Sequence, residues 1–296
     1  MIDYQITPEV NKHIYSVVLK FVATDTQHTL KLPTWIPGSY MIREFSKHIV
    51  NITAIQNGLP LDCDQSEKST WNISKLKVGT TISVHYTVHA YEYGIRTAFL
   101  DFNRGYFNNT SLCLFVVGAE NTVHTITLNK LPKKWQIATG LTQVNARTYK
   151  ASNYDELIDC PVELGEFTRL EFDIYGKKHF FILSGNIIEG FDSKRFIRDV
   201  SKVCSTQINF FGKNPPYSNY TFILHLNGEI YTGLEHRNST LLLAPYYSLP
   251  LLHHEDIGYD YLRLLELISH EFFHTWNVKR IKPQVFNPYD LSNENY

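Results

Sequence analysis

The sequence lacks any hydrophobic run of about 18 or more residues, so no transmembrane helix is expected. Its first five residues have neither the basic nor the apolar region of a signal peptide, which makes the cytoplasm the expected location. The formal net charge is only −1. The composition therefore does not favour binding to nucleic acid or to an anionic membrane.

Cysteine is also scarce. Cys63, Cys113, Cys160 and Cys204 lie far apart, and no C-x-x-C spacing occurs. This excludes a zinc ribbon and a thioredoxin-like redox pair as the reason for their presence. We expect four free and mostly buried thiols.

What the sequence does contain is enough apolar material for large cores. Hydrophobic residues make up 43% and charged residues 19% of the chain, which is typical of a folded globular protein. Aromatic residues reach 14%, a high value that favours large cores or grooves lined by aromatic side chains. A length of 296 residues is sufficient for two domains of ordinary size.

Residues 1–165 have the pattern of an antiparallel β-sandwich domain. Short stretches rich in Val, Ile, Thr and Tyr alternate with turn signals such as Asn57-Gly58, and helical periodicity is nearly absent. The predicted strands include 13–22, 49–56, 81–91, 112–117 and 122–128.

Residues 166–296 change to an α+β pattern, and we assign them to a second domain. A strand pair is predicted on either side of Gly176, followed by a helix at 192–211 that Asp192 would cap. Further strands are predicted at 220–226 and 240–244, and a last helix is predicted to begin near Asp256 and to end before Pro283. The whole chain is thus predicted to be α+β.

The last helix contains the most informative stretch of the sequence, His270-Glu271-Phe272-Phe273-His274. In this H-E-x-x-H motif the two histidines are four residues apart, so on a helix they lie on the same face. Two imidazoles in this position can bind one zinc ion, and Glu271 would then be the general base of metal-assisted amide hydrolysis.

The apolar residues around the motif support a helix. They recur at helical spacing and place the histidines on the other side. Because Leu262, Leu267 and Phe273 are also apolar, we expect the helix to be largely buried. A pair of hydrogen-bonded core histidines is the alternative to a metal site. The residues that form the apolar face are Tyr261, Leu264, Leu265, Ile268, Phe272 and Trp276.

Several stretches together resemble the glycyl aminopeptidase family, the sixty-first family of metallopeptidases. They run from near the N-terminus to the end of the sequence, at 32–40, 154–163, 233–236 and 274–281. The resemblance implies an N-terminal β domain followed by a thermolysin-like, gluzincin-type catalytic domain, of which this chain would contain the first part. Members usually continue into a PDZ domain.

The resemblance also implies a third zinc ligand. In the family this ligand is a Glu in a Trp-x-x-Glu-Gly segment, which comes a short distance after a Glu-Asn-Tyr sequence. Here Glu294-Asn295-Tyr296 are the last residues of the sequence, so the third ligand is expected beyond Tyr296. Glu294 itself is the alternative, since its spacing from His274 is close to that of simpler gluzincins.

A second carboxylate, Glu235, precedes the motif in the stretch Gly233-Leu234-Glu235-His236. By similarity to a related zinc aminopeptidase family, Glu235 is expected to bind the free α-amine of the substrate. Gly233 is expected to let its strand approach the substrate backbone. His236 would orient the amine or the oxyanion, or would be an exposed loop histidine.

The sequence is accordingly interpreted as that of a zinc aminopeptidase that removes Gly or Ala from the N-terminus of peptides. The preference for a small residue follows from the resemblance alone. Two alternatives stay open at this point, a zinc endopeptidase and a non-catalytic peptide-binding fragment. The sequence does not indicate an oligomeric state.

Overall fold

The computed structural model of the chain describes residues 1–286 and 289–293. The α-helices are α1 Asn109–Leu112, α2 Tyr154–Ile158, α3 Ser193–Phe210 and α4 Tyr259–Phe273. The strands are β1 Ile2–Glu9, β2 Ile14–Val22, β3 His28–Lys31, β4 Ile49–Gln56, β5 Leu59–Leu61, β6 Cys63–Glu67, β7 Thr70–Ile73, β8 Thr81–His89, β9 Ala98–Leu100, β10 Arg104–Phe107, β11 Phe115–Val116, β12 His124–Leu128, β13 Gln136–Thr139, β14 Thr142–Gln143, β15 Thr148–Ala151, β16 Val162–Gly165, β17 Thr168–Ile174, β18 Lys177–Gly185, β19 Asn219–Asn227, β20 Thr232–Glu235 and β21 Ser239–Pro245.

The chain divides into two compact units. The first contains Met1–Ile137, Leu141–Leu164 and Asp290–Tyr296, and the second contains Ala138–Gly140 and Gly165–Tyr289. None of the helices within the described residues is long and apolar enough to cross a membrane. The division of the sequence into domains at residue 165 stays a prediction.

The first unit is built mainly of antiparallel sheets, as predicted for a β-sandwich. One sheet has eight strands in the order β14-β15-β12-β1-β2-β8-β4-β5, and another has the order β11-β3-β7-β6. Strand β2 alternates buried and partly exposed residues along most of its length, as a strand with one face in a core does. The β1–β12 pair is parallel and is an exception to the antiparallel pattern.

The predicted strand at 112–117 is wrong over most of its length. Leu112 ends α1, and only Phe115 and Val116 form a strand. The reason lies at Asn109, whose side-chain amide donates to the carbonyls of Leu157 at 2.9 Å and Cys160 at 2.8 Å. These hydrogen bonds join Asn109 to a segment about 50 residues away in sequence, and hydropathy alone does not reveal them.

The second unit contains a five-stranded mixed sheet in the order β17-β18-β19-β21-β20. The three central strands β18, β19 and β21 are parallel, and both edge strands are antiparallel to their neighbours. The predicted strand pair and the predicted helix at 192–211 are confirmed as β17, β18 and α3, with the Asp192 side chain accepting from the Arg195 backbone N–H at 3.0 Å. The α+β class is therefore correct.

Helices α3 and α4 pack against the mixed sheet through a continuous apolar core. Phe181, Phe222 and Leu224 from the strands meet Phe196 and Phe272 from the helices in this core. The edge strand β20 lies beside α4, so this helix is held next to the sheet edge that carries Glu235.

The cysteines are all free thiols, as predicted. Cys113, Cys160 and Cys204 are buried, and Cys63 is partly exposed.

Candidate metal centre and active site

Helix α4 presents the H-E-x-x-H motif at its C-terminal end. The predicted apolar face points into the core, where Leu264, Ile268 and Phe272 are fully buried. Of the three further apolar residues, Leu267 is buried as expected, whereas Leu262 is 45% and Phe273 36% exposed. Within the described residues the sheet and α3 supply a core on one side of the helix, and the histidine side does not face that core.

The two histidines of the motif face each other. His270 lies in the last turn of α4 and His274 is the C-cap residue, still in a right-handed helical conformation. Their Nε2 atoms are 3.1 Å apart, and their rings are nearly perpendicular. One turn of helix thus brings two imidazole nitrogens to a common point, as predicted from their spacing.

The ring of His274 is fixed by the turn that follows the helix. The backbone carbonyl of Asn277 lies 2.7 Å from His274 Nδ1 and accepts a hydrogen bond from its N–H. With Nδ1 protonated, Nε2 keeps its lone pair and faces His270, which is the tautomer a metal-binding histidine needs. The contact is made by the backbone of Asn277 and not by its side chain.

The surroundings of His270 favour its neutral form. Partial burial lowers the pKa of His270 from its ordinary value, the neighbouring His274 lowers it further, and Glu235 acts in the opposite direction. A neutral imidazole is the form that binds a metal.

Glu271 is buried beside the glycine of the neighbouring edge strand. A Cβ atom at Gly233 would lie 2.1 Å from Glu271 Oε1, so the carboxylate fills the space that any other residue's side chain would occupy. Only 5% of Glu271 is exposed. The structure therefore shows that Gly233 makes room for Glu271, which is a different reason for a glycine from the approach to a substrate backbone expected from the sequence.

Glu235 shares a sheet face with Gly233. Strand β20 pairs with β21 so that Gly233 lies opposite Leu242 and Glu235 opposite Thr240. Residues two apart on a strand point the same way, which directs Glu235 toward α4. The carboxylate oxygens of Glu235 and Glu271 and a ring nitrogen of His274 all lie within 4.8 Å of one another.

His236 is not an exposed loop residue, and that alternative is wrong. It is fully buried immediately after β20, and its backbone N–H donates to the Ser239 carbonyl at 3.0 Å. The tight return of the chain from β20 to β21 turns the side chain inward.

A cation fits the chemistry of these side chains. Two buried carboxylates close together repel each other and lose solvation, and a divalent ion bound nearby would offset both costs. Imidazole nitrogens together with carboxylate oxygens are a donor set typical of zinc. Glu294, the alternative third ligand, lies outside the described residues.

Two residues near the site were not assigned a precise role from the sequence. Tyr220 is fully buried, its ring packs edge-on against Phe272 at 4.9 Å, and burial raises its pKa well above the ordinary value. Arg280 donates to the backbone carbonyls of Thr275 at 2.6 Å and Arg237 at 3.0 Å, which ties the segment after the histidines to the β20–β21 turn. The contact with Arg237 spans 43 residues of sequence, and no local signal identifies it.

Two family models and a solved structure match the chain. Residues 3–166 match the family model described as the Peptidase M61 N-terminal domain, and residues 263–296 match that described as M61 glycyl aminopeptidase. A solved structure of an aminopeptidase N family protein from Idiomarina loihiensis is similar at 40% sequence identity, with a TM-score of 0.95. The similarity covers 100% of this chain and 51% of that one, so the chain spans about half the length of the solved structure. No curated protein matches the chain in sequence.

Proposed function

Because the chain belongs to the M61 peptidase family, we propose that it is the metal-binding part of a zinc-dependent aminopeptidase that removes a small N-terminal residue, Gly or Ala, from peptides. The observation that supports this most directly is the convergence of Glu235, Glu271 and His274 within 4.8 Å, with His270 facing His274. The preference for Gly or Ala comes from the family resemblance.

His270 and His274 would hold the metal through their Nε2 atoms. When bound, zinc supplies Lewis acidity that lowers the pKa of a water molecule and polarises a peptide carbonyl. The family resemblance implies a third protein ligand beyond Tyr296, and this part of the hypothesis stays a prediction.

Glu271 would act as the general base. Its carboxylate accepts a proton from the attacking water and passes it to the leaving amine, the role of a positioned acid–base group. Its place against Gly233 holds the carboxylate in one position, which limits the reorientation needed before proton transfer.

Glu235 would bind the α-amine of the substrate. A carboxylate that is only 6% exposed favours a cationic partner strongly, because an unpaired buried charge is costly. An ammonium group held at a fixed distance from the metal restricts cleavage to the first peptide bond. The role of Glu235 therefore distinguishes the proposed aminopeptidase from the alternative, an endopeptidase.

The test uses Gly-p-nitroanilide and its N-acetylated form with the full-length protein. We expect Glu235→Gln to raise KM for the free-amine substrate by about tenfold to a hundredfold, the effect of losing one charge-assisted hydrogen bond. Glu229→Gln changes an exposed carboxylate of the same β19–β20 connection and should leave KM unchanged. The acetylated substrate should not be cleaved by any of the three proteins.

The opposite results identify the alternatives. Equal cleavage of the acetylated and free substrates by the parent protein would indicate an endopeptidase. Peptide binding without hydrolysis in the zinc-loaded full-length protein would favour a non-catalytic peptide-binding protein.

A further inference from the structure

A tight turn in the first unit presents one serine hydroxyl at a partly exposed position. The Ser39 N–H donates to the Ile36 carbonyl at 2.9 Å, which closes a turn with Pro37 and Gly38 at its centre. Gly38 has a φ of 103°, which a residue with a Cβ rarely adopts, and proline before such a glycine is typical of a type II turn. The turn fixes Ser39 at its end.

Two arginines converge on this hydroxyl. Arg43 Nη2 lies 2.5 Å and Arg96 Nε 3.0 Å from Ser39 Oγ, and both donate to it. The two guanidinium groups come from different segments of the chain, so their approach is produced by the fold. Burial, and then the charge of Arg96, lower the pKa of Arg43 from its ordinary value, as expected for like charges held close together.

Neither arginine forms an ion pair with a carboxylate of the described residues. Glu92 is near enough to act on the pKa of Arg43, but its Oε1 contacts Lys47 Nζ at 3.2 Å and His48 Nε2 at 3.0 Å. Within residues 1–286 and 289–293, the buried Arg43 Nε has no hydrogen-bond partner. Two cations therefore meet at a neutral oxygen with donor capacity left over.

Arg104 in the same unit shows the opposite arrangement. Its guanidinium contacts the Glu163 carboxylate through two N–H groups, at 2.7 Å and 2.9 Å, and both residues are buried. The fold thus neutralises a structural arginine with a carboxylate of its own. The contrast suggests that a ligand supplies the negative charge that pairs with Arg43 and Arg96.

We propose that Arg43, Arg96 and Ser39 form a binding site for an oxoanion, and that its ligand is the carboxylate of a peptide. Two N–H donors directed at one point suit a carboxylate oxygen, and the serine hydroxyl can turn to donate as well. Because the site is partly buried, a singly charged carboxylate loses less solvation on entry than a doubly charged phosphate. The site lies wholly within the first unit, and its ligand does not depend on the proposed metal centre.

The experiment measures binding of N-acetylglycine, N-acetylglycinamide and inorganic phosphate to the full-length protein by calorimetry at constant ionic strength. N-acetylglycine should bind and its amide should not, since the two differ only in the carboxylate. Arg96→Gln and Arg43→Gln should each weaken this binding by about tenfold or more, and Ser39→Ala should weaken it less. Arg147→Gln, which changes an exposed arginine of the same unit, should bind N-acetylglycine as the parent does. N-acetylglycine has no free α-amine, so it cannot make the contact proposed for Glu235. The anion-site hypothesis and the aminopeptidase hypothesis can therefore fail independently.

The melting temperatures of the variants without added ligand give a second measurement. If the two arginines form an empty anion site, Arg96→Gln relieves their repulsion, and the melting temperature should stay the same or rise. A lower melting temperature together with unchanged N-acetylglycine binding would show that the arginines serve only packing and would overturn the proposal. Binding of phosphate without binding of N-acetylglycine would overturn the carboxylate assignment.

Discussion

The absence of a side chain at Gly233 decides where the Glu271 carboxylate lies. The carboxylate oxygen occupies the position of the missing Cβ, so strand β20 and helix α4 approach more closely than any other residue would allow. The sequence marked both residues as part of the site. It did not indicate that one makes room for the other, because their contact joins a strand to a helix distant in sequence.

Gly233→Ala tests this contact. The new methyl group would displace the Glu271 carboxylate, and we expect kcat to fall by about a hundredfold or more, the typical contribution of a positioned general base. Zinc content should be unchanged, because His270 and His274 are not touched. Gly228→Ala is the matched control, since a Cβ there meets nothing within 4 Å. Normal kcat in Gly233→Ala would show that the contact with Gly233 is not needed for catalysis. The measurement is steady-state kinetics on Gly-p-nitroanilide with metal analysis of the same samples.

Helix α3 supports α4, the helix that carries the two histidines. Gln207 from α3 donates from Nε2 to the carbonyl and to the hydroxyl of Ser269, both at 2.8 Å. Ser269 immediately precedes His270, so α3 fixes the turn of α4 on which the first histidine lies. The stability of α3 therefore contributes to the geometry of the site.

The contribution of the α3 N-cap to stability can be tested directly. Asp192 accepts a hydrogen bond from the Arg195 N–H at 3.0 Å, and Asp192→Ala should cost about 1 kcal/mol of unfolding free energy. Glu189→Ala, an exposed change shortly before the helix, should cost almost nothing. The measurement is the urea midpoint followed by far-UV circular dichroism. Equal midpoints for the two variants would contradict the role of Asp192 as a cap.

Each unit of the molecule buries a histidine in neutral form. Burial lowers the pKa of His124 in the first unit and of His179 in the second to about 4. For His179 a hydrogen bond to the Lys177 carbonyl and the charge of Asp173 oppose this shift without reversing it. Unfolding returns both rings to water, where the pKa is about 6.5. The unfolded chain therefore binds more protons between these two values, so stability is complete above about pH 6.5 and is lost as the pH falls toward 4.

We expect the free energy of unfolding to fall between pH 7 and pH 5 by about 2 kcal/mol for each of these two histidines. His179→Gln should remove its share of this slope whatever it does to stability at pH 7. The exposed His253→Gln should keep the full slope. Urea unfolding at a series of pH values gives the comparison, and an unchanged slope in His179→Gln would mean that its folded pKa is not lowered.

Elements with strong local patterns were predictable from the sequence. The period of apolar residues in α3 and α4, the aspartate cap of α3 and the turn at Gly176 are all local signals, and the structure has these elements close to the predicted positions. The errors occurred where distant contacts decide the outcome. Asn109 turns the chain before 112–117 can form a full strand, and His236 is buried by the return of β20 into β21.

By itself, the sequence determined that His270 and His274 lie on one helical face, since a spacing of four residues and an amphipathic pattern are sufficient for that. Only the tertiary structure decided that Glu235 meets this helix, that Glu271 fits against Gly233, and that two arginines share one serine. The physical reason is that helical geometry depends on neighbouring residues, whereas the approach of separate strands, helices and turns depends on how whole elements pack.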